Sequence, residues 1–310
     1  MPGSVISGWG AALPPRVLTN ADFERRLDTS DAWIVERTGI RERHVGGTTT
    51  GLAVEAGRRA LERAGMEPSA VELLMVSTNT PDRAVPATAP VVQHELGLSC
   101  GAMDLNSGCS GFVYGAVLAD ALVKNGTERV LLIASDTVSR IVDPDDRAIV
   151  ILFGDAAGAA VIEASSGPSS ILGYDLGADG SAADILCREH GQPLYMNGHE
   201  VYRRAVRATV SSARSALERA KVDVGEIALF VPHQANIRIM EAVAGRLGFA
   251  PDRTMAVLDH TGNTSSASIP VALAEAADGG RLRSGDLVLA AGFGAGMTWA
   301  SMVIRWGAPQ

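Results

Sequence analysis

Three side chains in this sequence have the chemistry of acyl transfer: the thiol of Cys109, the imidazole of His233 and the carboxamide of Asn263. Cys109 lies in "MDLNSGCSGFVYG" (103–115), among glycines and serines where an apolar strand pattern gives way to a helical one. Small neighbours leave room for a reactant to reach the sulfur, whereas a structural cysteine is ordinarily packed among larger apolar residues. The segment predicts that Cys109 begins the helix "CSGFVYGAVLADALV", whose unpaired N–H groups and dipole favour a thiolate. On that reading the sulfur is activated without a dedicated base. The Cys109 N–H and a second glycine-rich turn, "FGAG" (293–296), are expected to bind an oxyanion.

Each feature alone has a plainer explanation. "GCSG" also suits a tight helix-sheet contact, a histidine after a strand is commonly structural, and "GNTS" reads as an N-cap turn. Their meaning depends on whether the fold brings them together.

The elements that must do so occur twice. "ALERAG" (60–65) returns as "ALERAK" (216–221) at an offset of 156 residues, and each copy precedes a strand-like run, "VELLMV" (71–76) or "EIALFV" (226–231). "RVLLIAS" (129–135) is answered by "DLVLAAG" (286–292), and "FGDAAGAAVIE" (153–163) by "FGAGMTWASMVIR" (293–305). The shorter offset of the last pair predicts an insertion of about 16 residues in the first half, placed at 136–152. Strands alternating with helical stretches predict an α/β fold of two pseudo-symmetric βαβαβαββ halves, residues 1–165 and 166–310. The repeat carries Cys109 onto "HTGNTSSASIP" (260–270), so the loop holding Asn263 should face Cys109 across the pseudo-axis. His233, in "VPHQANIRIM" (231–240), follows a strand at the end where open α/β sheets place ligands.

Bulk composition agrees with such a protein. The 310 residues are 46% hydrophobic and 20% charged, enough for a substantial core. A formal charge of -8 excludes nucleic acid as the main ligand, because phosphate binding needs a dominant basic field. Three cysteines, Cys100, Cys109 and Cys187, form no CxxC pair and imply free thiols in a reducing compartment. With neither a basic, apolar leader nor a membrane-length apolar run, the expectation is a cytoplasmic protein without a membrane partner. No metal site is expected.

"DLNSGCSGFVYG", "VPHQANIRI", "HTGNTSSASIP" and "AGFGAGMTWAS" together resemble the four signature segments of the β-ketoacyl-acyl-carrier-protein synthase III family. The resemblance runs over essentially the whole chain and includes "TSDAWIVERTGIRERH" and "DDRAIVILFGDAAGA". It implies a thiolase-like, five-layered αβαβα sandwich and a condensing enzyme that needs no cofactor. Cys109 would take an acyl group from an acyl-CoA. His233 and Asn263 would stabilise the enolate formed as malonyl-carrier protein loses CO2, and the N–H groups of Cys109 and Ala295 would form the oxyanion hole. Trp33 and Arg37, with Arg147 on the other side of the base, would hold the CoA adenine, and Met196 and Gly198 would line the pantetheine channel. Residue His199 departs from the family, which usually has Asn there. Arg207, Arg214 and Arg238 would dock the acidic carrier protein; Arg203, Arg207 and Arg214 share one side of a helix. Val85 would border the acyl pocket of the neighbouring subunit in a homodimer.

Two other readings fit the same residues. One is an acyltransferase of the same fold that passes its acyl group to a hydroxyl or amine, and the other is a non-catalytic subunit that binds carrier protein. A biosynthetic thiolase would have a second cysteine in the C-terminal turn, where "GFGAGMTW" has none.

Overall fold

Runs of Val, Ile, Leu and Ala alternate with amphipathic helical stretches, and this alternation builds two twisted sheets. The computed structural model describes residues 3–307. Its first sheet contains β1 (Gly3–Ala12), β2 (Leu73–Ser77), β3 (Gly101–Leu105), β4 (Arg129–Thr137) and β5 (Asp155–Ser165), in the spatial order β1-β5-β4-β2-β3. The second contains β6 (Ile171–Ala178), β7 (Ile227–Pro232), β8 (Leu287–Gly294) and β9 (Thr298–Arg305), in the order β6-β9-β8-β7. Exchanging each strand for its repeat mate turns one order into the other. Directions correspond as well: β2 runs parallel to β4 and β7 parallel to β8, while β4-β5 and β8-β9 are antiparallel. The mate of β3 has shrunk to one bridge between Phe230 and Thr254, so the second half has four full strands rather than the five expected.

The main helices are α1 (Asp31–Thr38), α2 (Thr49–Ala64), α3 (Thr88–Glu95), α4 (Gly111–Lys124), α5 (Gly198–Ala220), α6 (Ile237–Leu247) and α7 (Ser268–Asp278). Helices α4 and α7 are apolar on most sides and fill the space between the sheets. Phe112, Val113 and Ala116 of α4 and Ile269, Ala272 and Leu273 of α7 share one core with residues of both sheets. Helices α2 and α3 cover the outer face of the first sheet, and α5 and α6 that of the second. The result is the αβαβα sandwich. The repeat is visible even at helix ends: α2 closes on Gly65 (φ 61°) and α5 on Lys221 (φ 55°), both left-handed. A lysine accepts this conformation at a cost of about 1 kcal/mol.

The insertion begins later than expected. Strand β4 continues through Asp136 and Thr137, which pair with Ala156 and Asp155, because ladder hydrogen bonds to β5 are still available there. Residues 138–154, with a short helix at Arg147–Val150, then do what 295–297 do between β8 and β9.

Candidate active site

The chain around Cys109 is shaped by backbone contact between two glycine turns. A Cβ on Gly294 would stand 2.2 Å from the Cys109 nitrogen, and one on Gly108 (φ 59°) would stand 2.7 Å from the Ala295 nitrogen. Only glycines allow this approach, which sets the amides of Cys109 and Ala295 side by side. The Ser110 and Thr298 hydroxyls, 2.9 Å apart, fasten the turns together, and Thr298 Oγ1 donates to the Ser107 carbonyl at 2.7 Å.

His233 leaves the end of β7 with its N–H bonded to the Ala291 carbonyl at 2.8 Å. Its buried ring meets Phe293 edge-on, with centroids 5.4 Å apart, and its Nδ1 lies 2.6 Å from Ser268 Oγ at the start of α7. The Ser268 hydroxyl serves either neutral tautomer: donating to Nδ1 it leaves a proton on Nε2, and accepting from Nδ1 it leaves Nε2 with a lone pair. Gln234 fixes the loop beyond, donating to the Pro232 and Met255 carbonyls and accepting from the Val257 N–H.

Asn263 is held by backbone bonds to the segment before β5. Its N–H donates to the Leu152 carbonyl at 2.8 Å, and its carbonyl accepts from the Gly154 N–H at 3.0 Å. Its side-chain Oδ1 accepts from the Ser265 N–H at 2.9 Å, which assigns the amide orientation and leaves Nδ2 as the free donor end. Cys109, His233 and Asn263, which belong to three separate junctions, line one cavity of about 900 Å³.

The electrostatics differ from the expectation of a ready thiolate. Helix α4 begins at Gly111, with Ser110 as its cap, so Cys109 precedes the helix rather than opening it. Burial pushes the Cys109 thiol up to about 12, the hydrogen bond with Ser265 Oγ at 3.3 Å opposes this, and the charge of Asp136 adds to it. Burial also takes His233 down to about 3, so its imidazole is neutral throughout the physiological range. A neutral imidazole beside a protonated thiol changes the expected chemistry: the sulfur needs a proton acceptor as it attacks.

Trp33, Arg37, Met196, Gly198, His199 and Arg238 line the outer part of the same cavity. The guanidinium of Arg37 lies 5.5 Å from the Trp33 ring centre. Arg147 does not line the cavity. It covers the same indole at 5.1 Å and bonds the Asp28 carbonyl, so nothing separates the guanidinium from the ring. Arg238 pairs with Glu36 of α1 at 3.7 Å. Arg203, Arg207 and Arg214 are exposed along α5, outside the cavity, and Arg214 donates to the Arg246 carbonyl at 3.1 Å. Val85 is 84% exposed and takes no part in the cavity of its own chain. Among the described residues no cluster of His, Cys, Asp and Glu is placed to hold a metal, and no helix is long and apolar enough to cross a membrane.

Sequence reasoning missed Ser268, Ser265, Asn79 and Asp136. The one signal was a lone acid ending an apolar strand, "LLIASD", which the duplication did not interpret.

Two sheets related by duplication, two helices buried between them and a cysteine at the head of one of those helices define the thiolase-like class. Residues 103–180 match the family described as 3-oxoacyl-[acyl-carrier-protein (ACP)] synthase III, and residues 217–306 match its C-terminal part. The β-ketoacyl-[acyl-carrier-protein] synthase III of Roseiflexus castenholzii is 45% identical, with 98% of each chain covered. The crystal structure of 3-oxoacyl-[acyl-carrier-protein] synthase III from Aquifex aeolicus superposes with a TM-score of 0.96 at 40% identity, covering 98% of this chain and all of that one. A priming β-ketosynthase from a polyketide biosynthetic pathway superposes at 0.95 with 36% identity, covering 100% of this chain and 98% of that one. The chain belongs to the β-ketoacyl-[acyl-carrier-protein] synthase III family.

Proposed function

We propose that the chain is an acyl-transferring condensing enzyme that joins an acyl-CoA primer to malonyl-acyl-carrier protein, giving 3-oxoacyl-carrier protein and CO2. The carrying observation is that Cys109, His233 and Asn263 line one cavity whose outer part is bordered by Trp33 and Arg37. As the sulfur attacks the acyl-CoA carbonyl, its proton passes to His233 Nε2 and then to the departing CoA thiolate, leaving an acyl-cysteine. Malonyl-carrier protein follows. Its C–C bond breaks to release CO2, and the electron pair becomes an enolate whose oxygen is held by Nδ2–H of Asn263 and by Nε2–H of His233, once the imidazole has changed to the tautomer in which Ser268 Oγ donates to Nδ1. The enolate carbon attacks the acyl-cysteine, the oxyanion rests on the N–H groups of Cys109 and Ala295, and the C–S bond breaks to release product and the thiolate, which takes up one proton from solvent per turnover. These steps use no cofactor, only the two substrates.

Trp33, Arg37 and Arg147 are the adenine contacts in this reading, with Arg147 swinging off the indole to admit the base. Met196 and Gly198 border the pantetheine arm. Residues 1–165 and 166–310 are the two halves of the duplication. The assembly is a homodimer in which Val85 borders the partner's acyl pocket, and the enzyme works in the cytoplasm.

The test is mass spectrometry of the protein after incubation with an acyl-CoA, followed by addition of malonyl-carrier protein with CO2 measured. An acyl adduct on Cys109 that disappears with release of CO2 is expected. An adduct that is stable to malonyl-carrier protein but transfers to a small alcohol or amine would replace this reading with the non-condensing acyltransferase.

The acidic carrier protein finds complementary charge on α5 and at Arg238, on a protein that is otherwise acidic. Reversing Arg207 and Arg214 to Glu is expected to raise the KM for malonyl-carrier protein about ten-fold and to leave acyl loading from CoA unchanged. An unchanged KM would remove α5 from the docking surface.

A further inference from the structure

Position 265 is the repeat mate of position 109, 156 residues on, and the two side chains meet: Ser265 Oγ lies 3.3 Å from Cys109 Sγ. Duplication thus places a serine hydroxyl against the sulfur, each side chain standing just before one of the two central helices.

The direction of the hydrogen bond can be read from what surrounds the serine. Asp136 is fully buried at the end of β4 and carries no ion pair among the described residues. Its Oδ1 accepts from Thr78 Oγ1, the Asn79 N–H and Thr80 Oγ1, at 2.7 to 3.2 Å. Its Oδ2 accepts from Asn79 Nδ2, the Ser266 N–H and Ser266 Oγ, at 2.7 to 3.1 Å. A carboxylate only accepts, so the Asn79 amide must present its nitrogen to Asp136. The same Nδ2 donates its second hydrogen to Ser265 Oγ at 3.0 Å. Ser265 Oγ therefore accepts from Asn79, and the acceptor left for its own hydrogen among the described contacts is Cys109 Sγ.

The backbone agrees. Ser265 has φ 55°, left-handed and uncommon for a residue with a Cβ, and is held there by its N–H bond to Asn263 Oδ1 and by Asp136 gripping Ser266 next to it.

We infer that Ser265 donates a hydrogen bond to the Cys109 sulfur that stabilises the thiolate, and that Asp136 acts through Asn79 as the positioning residue that aims it. The relay answers a need created by burial: a sulfur removed from water gains its thiolate only where a donor replaces the lost solvent. Its role in acyl loading rests on Cys109 being the acyl carrier, but its effect on the thiol does not.

The test is alkylation of the intact protein by iodoacetamide, followed on the Cys109 peptide across about pH 7 to 9, where the rate climbs with the thiolate fraction. Ser265→Ala is expected to slow Cys109 alkylation about ten-fold at each pH, one pKa unit upward. Ser265→Gly should do the same while relieving the left-handed strain, which separates loss of the hydroxyl from any backbone effect. Asn79→Ala should slow it in the same direction and add nothing when combined with Ser265→Ala. Wild-type alkylation by Ser265→Gly with a native melting curve would overturn the donor. Full additivity of Asn79→Ala with Ser265→Ala would overturn the relay. Alkylation needs no acyl donor, so a failure of acyl-CoA to load the wild-type protein would refute the proposed condensation and leave the relay standing.

Discussion

Asn263→Ala is expected to load an acyl group onto Cys109 no more than about ten-fold slower than wild type, since it also frees the Ser265 N–H, and to release CO2 from malonyl-carrier protein about 100- to 1,000-fold more slowly, the loss ordinarily seen when one donor to a developing oxyanion is removed. The separation follows from geometry. Asn263 spends its Oδ1 on the Ser265 N–H, so what it offers the cavity is Nδ2–H, a donor with work only once negative charge develops on a thioester oxygen. Asn263→Asp is the sharper variant. It keeps an acceptor for the Ser265 N–H and removes the donor, so its decarboxylation should fall at least as far as that of Asn263→Ala with the loop intact. His233→Ala should lose both steps, because the imidazole serves as proton acceptor in the first and donor in the second. Burial keeps His233 uncharged down to about 3, so decarboxylation should show no acid limb from this residue near the ordinary histidine value. The same shift links to stability. Between about pH 6.5 and 3 the unfolded chain binds a proton that the folded one refuses, so this contribution is complete above 6.5 and is lost as the pH falls. Equal loss of loading and CO2 release in Asn263→Ala would show that the carboxamide acts before the enolate forms.

Much of this site was legible because duplication converts sequence spacing into spatial proximity. Cys109 and the loop of Asn263 sit at matching places in two copies of one unit, so the repeat alone predicted that they face each other, and His233 follows from its position after the strand β7. What stayed hidden depends on which groups surround a side chain rather than on where it lies in a pattern. A helix starting near Cys109 suggested a thiolate, yet the start fell at Gly111 and burial pushes the thiol up against the opposing hydrogen bond from Ser265, which spacing cannot reveal. Asp136 ends an apolar strand and has no repeat mate of like chemistry, since the corresponding part of β8 is Gly292 and Phe293. Its six donors come from two loops that meet only in the folded molecule. Arg147 illustrates the same point on the surface: its place in the insertion was readable, its seat on Trp33 was not.

Gly294→Ala is expected to cost at least about 100-fold in condensation, although the change adds only a single methyl group. The added Cβ would stand 2.2 Å from the Cys109 nitrogen and 2.8 Å from the Gly108 carbonyl carbon. Both are backbone atoms, so no side chain can rotate to make room, and one turn must retreat from the other by about 1 Å or more. That retreat separates the Cys109 and Ala295 amides, so the two N–H groups no longer converge on one oxyanion. Residues Ser110 and Thr298 would resist the movement through their shared hydrogen bond, which should appear as a melting temperature lowered by several degrees. Gly65→Ala supplies the comparison. Gly65 is left-handed at the end of α2 and has open space around its Cβ position, so the substitution carries a conformational penalty with no collision and no contact with the cavity. Its melting temperature should fall while kcat for condensation stays near wild type. If Gly294→Ala lost no more activity than Gly65→Ala at matched stability, the two interlocked turns would not be what holds the oxyanion donors in place.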